Sequence, residues 1–222
     1  MARMARVVVP HYPHHVTQRG NRRQKTFFSD DDYRSYLELI SQSCRGCGTE
    51  ILAYCLMPNN VHLVMVPSQE DGLRAVLGET HRQYTRSINF REGWRGHLWQ
   101  ERYHSFVMDE QYLLATVRYV ERNPLVAGLC SAPQDWPWSS AKAHLYGQDD
   151  QLVCVKPMLL RVSNWHKYLS DTGEATDQTD AIRRHRKTGR PLGGSGFVSE
   201  LESKTGRTFT RKKPGPAPQN GR

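Results

Sequence analysis

Tyr119 and Asn123 are four residues apart, a spacing that on a helix puts both side chains on one face. A tyrosine there could attack a phosphodiester, and the amide oxygen of Asn123 beside it could help to hold a hard cation. A phosphotyrosine ester keeps the bond energy of the broken strand, so a later hydroxyl can reverse the step. Such a nucleophile suits strand transfer better than hydrolysis. Asn60 and His62 are two residues apart, which on a strand points both the same way. Imidazole and an amide oxygen are acceptable ligands for Mg2+ or Mn2+. A cation held by them would polarise a scissile phosphate and offset charge on the departing oxygen. By spacing alone the plainer accounts stand ahead. In those, Asn60 closes a turn, His62 is an ordinary half-buried histidine, Tyr119 packs in the core and Asn123 stops a helix before Pro124.

The flanking sequence indicates which elements would carry these residues. Residues 14–20 mix β-branched and polar side chains and end in glycine, a first strand, with a basic turn over 19–23. Ser29 is a good N-cap, with Asp30, Asp31 and Asp32 at the positive end of a helix dipole; that helix runs to about Cys47. Cys44 and Cys47 form a lone C-x-x-C, which reads as a helix end capped by Gly48 rather than as half of a zinc site. Residues 51–57 and 61–66 are apolar runs of strand length around Pro58, Asn59 and Asn60, a hairpin. A second helix covers 72–89, and 99–107 re-enter the sheet. Asp109 caps a third helix that should end near Asn123, because Pro124 disfavours a helical residue before it. A packed segment from Trp136 ends in a short helix to Tyr146. The order is an α+β one, an antiparallel sheet covered by helices.

Beyond residue 170 the character changes. Residues 170–180 are polar and linker-like, 183–187 form a basic cluster, 197–204 make a short helix, and 211–222 are rich in Pro, Gly and basic residues, as in a disordered tail. The expected organisation is one domain over 1–150, a packed segment and linker over 151–180, and a basic C-terminal extension over 181–222.

Lys and Arg total 31 against 22 for Asp and Glu, a net charge of +9 in 222 residues. With a pI near 9.5 and a mean hydropathy of -0.70, the chain suits a polyanionic partner. No run of 18 apolar residues is present and the N-terminal residues lack a signal-peptide core, so neither a membrane span nor export is expected. Five cysteines, an odd number without a small-scaffold spacing, fit reduced thiols and a cytoplasmic location. Three groups could contact nucleic acid: Arg19, Asn21, Arg22 and Arg23; Trp99, Gln100, Arg102 and Tyr103; and Arg118 with Arg122. Arginines track a backbone and aromatic rings stack on unpaired bases. The plainer account is a solvated charged face with Trp99 in the core.

Five segments taken in order resemble the single-tyrosine HUH transposases, and most closely the REP-associated tyrosine transposases. They are HVTQRGN at 15–21, MPNNVHL at 57–63, GHLWQERY at 96–103, YVERNP at 119–124 with Ala127 and Gly128 following, and WPWSS at 136–140. The resemblance spans roughly residues 14–145, and TGRPLG at 188–193 is similar to extensions in part of that family. It implies a ferredoxin-like sheet and cleavage of single-stranded DNA at hairpins of palindromic repeats. The products would be a 5′-phosphotyrosine and a free 3′-hydroxyl. It assigns the nucleophile to Tyr119, the histidine pair to Asn60 and His62, and a further metal ligand to Asn123. Asn60 departs from the His-x-His pattern. Its amide oxygen is a weaker, harder ligand that favours Mg2+ or Mn2+ over zinc. Two readings follow: a strand-transferring enzyme, monomeric or homodimeric, or a repeat-DNA-binding protein with weakened catalysis. A structured-RNA binder is the third.

Overall fold

The computed structural model describes residues 5–171 and 175–210. Four strands, β1 (His14–Arg19), β2 (Glu50–Met57), β3 (Asn60–Val66) and β4 (His104–Val107), form one sheet in the order β2-β3-β1-β4. Every pairing is antiparallel. Helix α1 (Asp30–Cys47) joins β1 to β2, and α2 (Gly72–Glu92) joins β3 to β4. This is the ferredoxin-like βαββαβ unit expected of the sequence.

The two faces of the sheet bury different residues. Val16, Tyr54, Leu56, Val61 and Leu63 point to α1 and α2, where they meet Tyr36, Ile40, Leu77 and Tyr84. Ala53, Cys55, Val64 and Phe106 point the other way, onto α3 (Glu110–Val126). Alternation along each strand assigns these faces, so a one-residue slip would exchange them. Helix α1 begins at Ser29, where the Asp32 carboxylate accepts from the backbone N–H of both Phe28 and Ser29. Asp32 is buried and also pairs with Arg91, so it does more than complement the helix dipole. The helix ends at Gly48, whose φ of 57° is the left-handed conformation that glycine tolerates best.

The structure corrects several local expectations. Met57 pairs with Asn60, so the hairpin turn is Pro58-Asn59 and Asn60 is the first residue of β3. Helix α3 continues to Val126 with Pro124 inside it. Pro124 lies in the last turn, where its ring forfeits a single backbone bond, while Ala127 N–H still reaches the Asn123 carbonyl. Sheet pairing of the last strand begins at His104. Residues 99–103 lie outside the strand, with Trp99 making an isolated bridge to Gly20.

The polar stretch expected to link the core to its tail starts a helix at Ala175. Beyond the short helices α4 (Ala141–Tyr146), α5 (Lys156–Leu159) and α6 (Trp165–Ser170), this helix, α7 (Ala175–Thr188), packs on α3 and β4. Leu192 then pairs with Met108 alongside the sheet. Helix α8 (Ser195–Thr205) closes a small third cluster, Leu201 against Val7, Val9 and Val107. The tail expected to be disordered, 211–222, lies outside the described residues.

Candidate functional site

Strand register assembles the site. Thr17 pairs with both His62 and His104, and Arg19 pairs with Asn60. Directly opposed residues share a face, so His15, Thr17, Arg19, Asn60, His62 and His104 all look towards α3 and α7. Gly20 ends β1 because the chain folds back at once: a Cβ there would lie 2.4 Å from the Gln24 carbonyl oxygen.

His15 and His62 are buried and stacked, with ring centroids 5.3 Å apart. His15 Nε2 lies 3.1 Å from His62 Nδ1. Helix α3 brings the Tyr119 ring edge-on to both, at 5.8 Å from His62 and 6.1 Å from His15. Burial, with the Arg186 charge second, lowers the His15 pKa to about 3. Burial again leads in holding His62 well below its ordinary value, followed by His15, Arg186 and Arg19. Both imidazoles are therefore neutral at physiological pH, and one proton sits between them. If His62 donates from Nδ1, its Nε2 lone pair is free for a cation. If His15 donates, His62 Nε2 carries hydrogen instead.

Asn60 and His62 line one cavity of ≈ 210 Å³ together with Arg19, Glu101, Arg186 and Lys187. Tyr119 and Asn123 open onto a separate groove between α3 and α7, with Arg122 and Arg183. The tyrosine ring thus touches the histidine pair, while Asn123 faces away from the Asn60 cavity. A neutral imidazole, an amide oxygen and a nearby carboxylate suit a hard divalent cation. Among the described residues no group of three or more His, Cys, Asp or Glu side chains could hold a metal ion. A cation beside His62 would therefore depend on the Asn60 oxygen and on water.

The orientation of α3 is set from behind. Glu121, fully buried, accepts from Ser140 Oγ at 2.6 Å, His144 Nδ1 at 2.5 Å and Trp165 Nε1 at 2.8 Å. Glu121 is two residues from Tyr119 and points nearly opposite it on the helix. Its anchors therefore hold the tyrosine towards the sheet.

Comparison with known proteins gives the family and the fold. Residues 8–123 match the family model described as "Transposase IS200 like". The chain belongs to this transposase family. It is 26% identical over 144 residues to a protein of Haemophilus influenzae described as a REP-associated tyrosine transposase, covering 57% of this chain and 80% of that one. Its fold is similar to that of a solved REP-associated tyrosine transposase bound to a REP hairpin. There the TM-score is 0.58 at 21% identity, over 68% of this chain and 90% of the other.

Within this transposase-family chain the expected DNA-binding residues divide. Arg22, Arg23, Gln100 and Arg102 are exposed around the two loops, and Asn21 and Arg19 are half-buried beside them. Trp99 and Tyr103 are each only 8% exposed. Trp99 packs on Tyr36, His81 and Tyr84, so its ring fills the core instead of facing a base. The Arg118 guanidinium bonds Gln178 on α7, and that of Arg122 bonds the Leu169 carbonyl, so both tether the C-terminal helices to α3.

Sequence reasoning missed His15, Glu121, Arg186 and the aromatic pair Phe28 and Trp94. That pair meets edge-on at 5.7 Å and stays 41% and 42% exposed. Strand alternation from His62 back to its neighbouring strand could have signalled His15. Nothing local signals Glu121 or the Phe28–Trp94 pair, whose partners lie 19 to 66 residues away in sequence.

Proposed function

We propose that this chain cleaves and rejoins single-stranded DNA, with the Tyr119 oxygen as nucleophile and a hairpin of a palindromic repeat as substrate. One observation carries the reading: the Tyr119 ring lies against His62, on the sheet face that also bears Asn60. In the forward step the Tyr119 oxygen bonds to the scissile phosphorus and the P–O3′ bond breaks. The phenolic proton is lost, a proton is taken up by the leaving 3′-oxygen, and the number of phosphodiester bonds is unchanged. The reverse step, by a new 3′-hydroxyl, rejoins the strand.

Asn60 and His62 would hold Mg2+ or Mn2+, which when bound would neutralise charge on the phosphate, while Asn123 lines the separate groove beside Tyr119. Arg19 supplies fixed positive charge to the same region. Burial leads in lowering its pKa, followed by Arg186 and Arg23, while Tyr119 acts in the opposite sense. The exposed Phe28 and Trp94 rings, with the Arg91 guanidinium over Phe28, offer stacking surfaces for unpaired bases.

The test is covalent capture of a labelled single-stranded oligonucleotide carrying a repeat hairpin, with Mn2+ present. Wild type gives a denaturant-stable adduct and Tyr119→Phe gives none. Equal adduct from both, or none from wild type, defeats the proposal.

A second reading, a repeat-DNA-binding protein with weakened catalysis, is favoured by Asn60 standing opposite Arg19 in the register. Here Asn60→His decides. A gain of cleavage marks a weakened site, whereas unchanged, robust wild-type cleavage rejects this second reading.

A further inference from the structure

Helix α7 lies beyond the region matched to the transposase family, and yet it walls both openings beside Tyr119. Arg183 lines the groove that holds Tyr119 and Asn123, while Arg186 and Lys187 line the cavity that holds Asn60 and His62. Residues three and four apart share one side of a helix, so α7 presents a row of cations along the seam between α3 and the sheet. The helix is fixed there by Ile182 in the core, by the Arg118–Gln178 bond and by His185 Nδ1 on the Arg190 carbonyl. Inside the cavity, Arg19, Arg186 and Lys187 face the single carboxylate of Glu101. Like charges gathered in one cavity repel one another, and a bound phosphate relieves that repulsion.

We infer that Arg186 and Lys187 form, with Arg19, a phosphate-binding subsite, so that the C-terminal extension supplies part of the surface that grips the DNA strand. The inference rests on the DNA-cleaving reading above and names residues of the same site that grip the backbone. Arginine's planar fork suits a phosphate bidentately, and Lys187 adds a point charge.

The test is binding of the full chain to a fluorescent twelve-residue oligothymidylate, followed by anisotropy across a KCl series. Binding is read without chemistry, so a chain that forms no adduct still reports on this subsite. Arg186→Gln should reduce the magnitude of the log K against log salt slope by about 0.7, and weaken binding about fivefold at 0.1 M salt. Arg186→Gln combined with Lys187→Gln should reduce the slope by about 1.4. Arg186→Lys should restore the slope, which separates loss of charge from loss of fold. Arg34→Gln, on the outer side of α1 where Arg34 pairs with Asp31, should leave it unchanged. An unaltered slope in Arg186→Gln, tighter binding on its introduction, or an equal loss in Arg34→Gln overturns the inference.

Discussion

His15 Nε2 and His62 Nδ1 are 3.1 Å apart, so the tautomer of each ring fixes that of the other. His15 Nδ1 is buried without a hydrogen-bond partner among the described residues. Little else therefore constrains the proton they share. A cation on His62 Nε2 requires the arrangement in which His62 donates to His15. His15 is then the residue that orients the ligand, the role of a hydrogen-bond partner just outside a metal site.

Replacing that partner should weaken a cation. His15→Phe keeps a flat ring but removes the acceptor, and Mn2+ affinity should fall about 10- to 100-fold. Free Mn2+ measured by electron paramagnetic resonance reads this without turnover. His15→Gln, which retains an accepting oxygen, should recover part of it. Equal Mn2+ affinity in wild type and His15→Phe would show that the pair does not orient a ligand.

Glu121 makes a different prediction, on stability. Its carboxylate accepts from three buried donors, two on α4 and its cap and one on α6. Glu121→Ala strands those donors and should cost about 3 kcal/mol or more, seen as a lower urea midpoint. Because the carboxylate also anchors α3, Glu121→Ala should slow adduct formation by Tyr119 at temperatures where the variant remains folded. A loss below about 0.5 kcal/mol, the scale of ordinary surface substitutions, would remove Glu121 from this role.

The buried histidines set a pH dependence. Burial lowers His14 to about 4, against a smaller raising effect of its bond to the Tyr12 carbonyl, and burial lowers His81 to about 3. Unfolded, both titrate near 6.5. The unfolded chain therefore binds more protons between these values, and stability rises with pH across that window. Their full contribution is present above pH 6.5 and is lost as pH falls towards 4. His14 alone should account for about 2 kcal/mol between pH 7 and pH 5. His81, half-buried, adds a contribution of the same sign. Urea unfolding at the two pH values measures the difference, and greater stability at pH 5 would contradict the assignment.

Much of the fold is written locally. Alternation in 51–57 and 61–66, the Ser29 start and Gly48 stop of α1, and turn residues at Pro58-Asn59 each follow from a few neighbouring side chains. That is why the element order could be read directly. Pro124 misled because the rule for prolines ignores position in the helix, and in a last turn the lost bond is cheap. Trp99 misled because an aromatic residue in a polar loop has the same local pattern whether it stacks on a base or on Tyr36 and His81.

By itself the sequence determined that Asn60 and His62 share a strand face, and that Tyr119 and Asn123 share a helix face. Strand and helix periods set both relations without reference to the rest of the chain. Only the tertiary structure decided what those faces meet. The pairing of β1 with β3 delivers His15 to His62, and the buried Glu121 turns Tyr119 onto that pair. The packing of α7 then separates Asn123 from the Asn60 cavity and brings Arg186 into it. Each of these contacts joins residues far apart in the chain, and such contacts are fixed by burial and register, which no local spacing encodes.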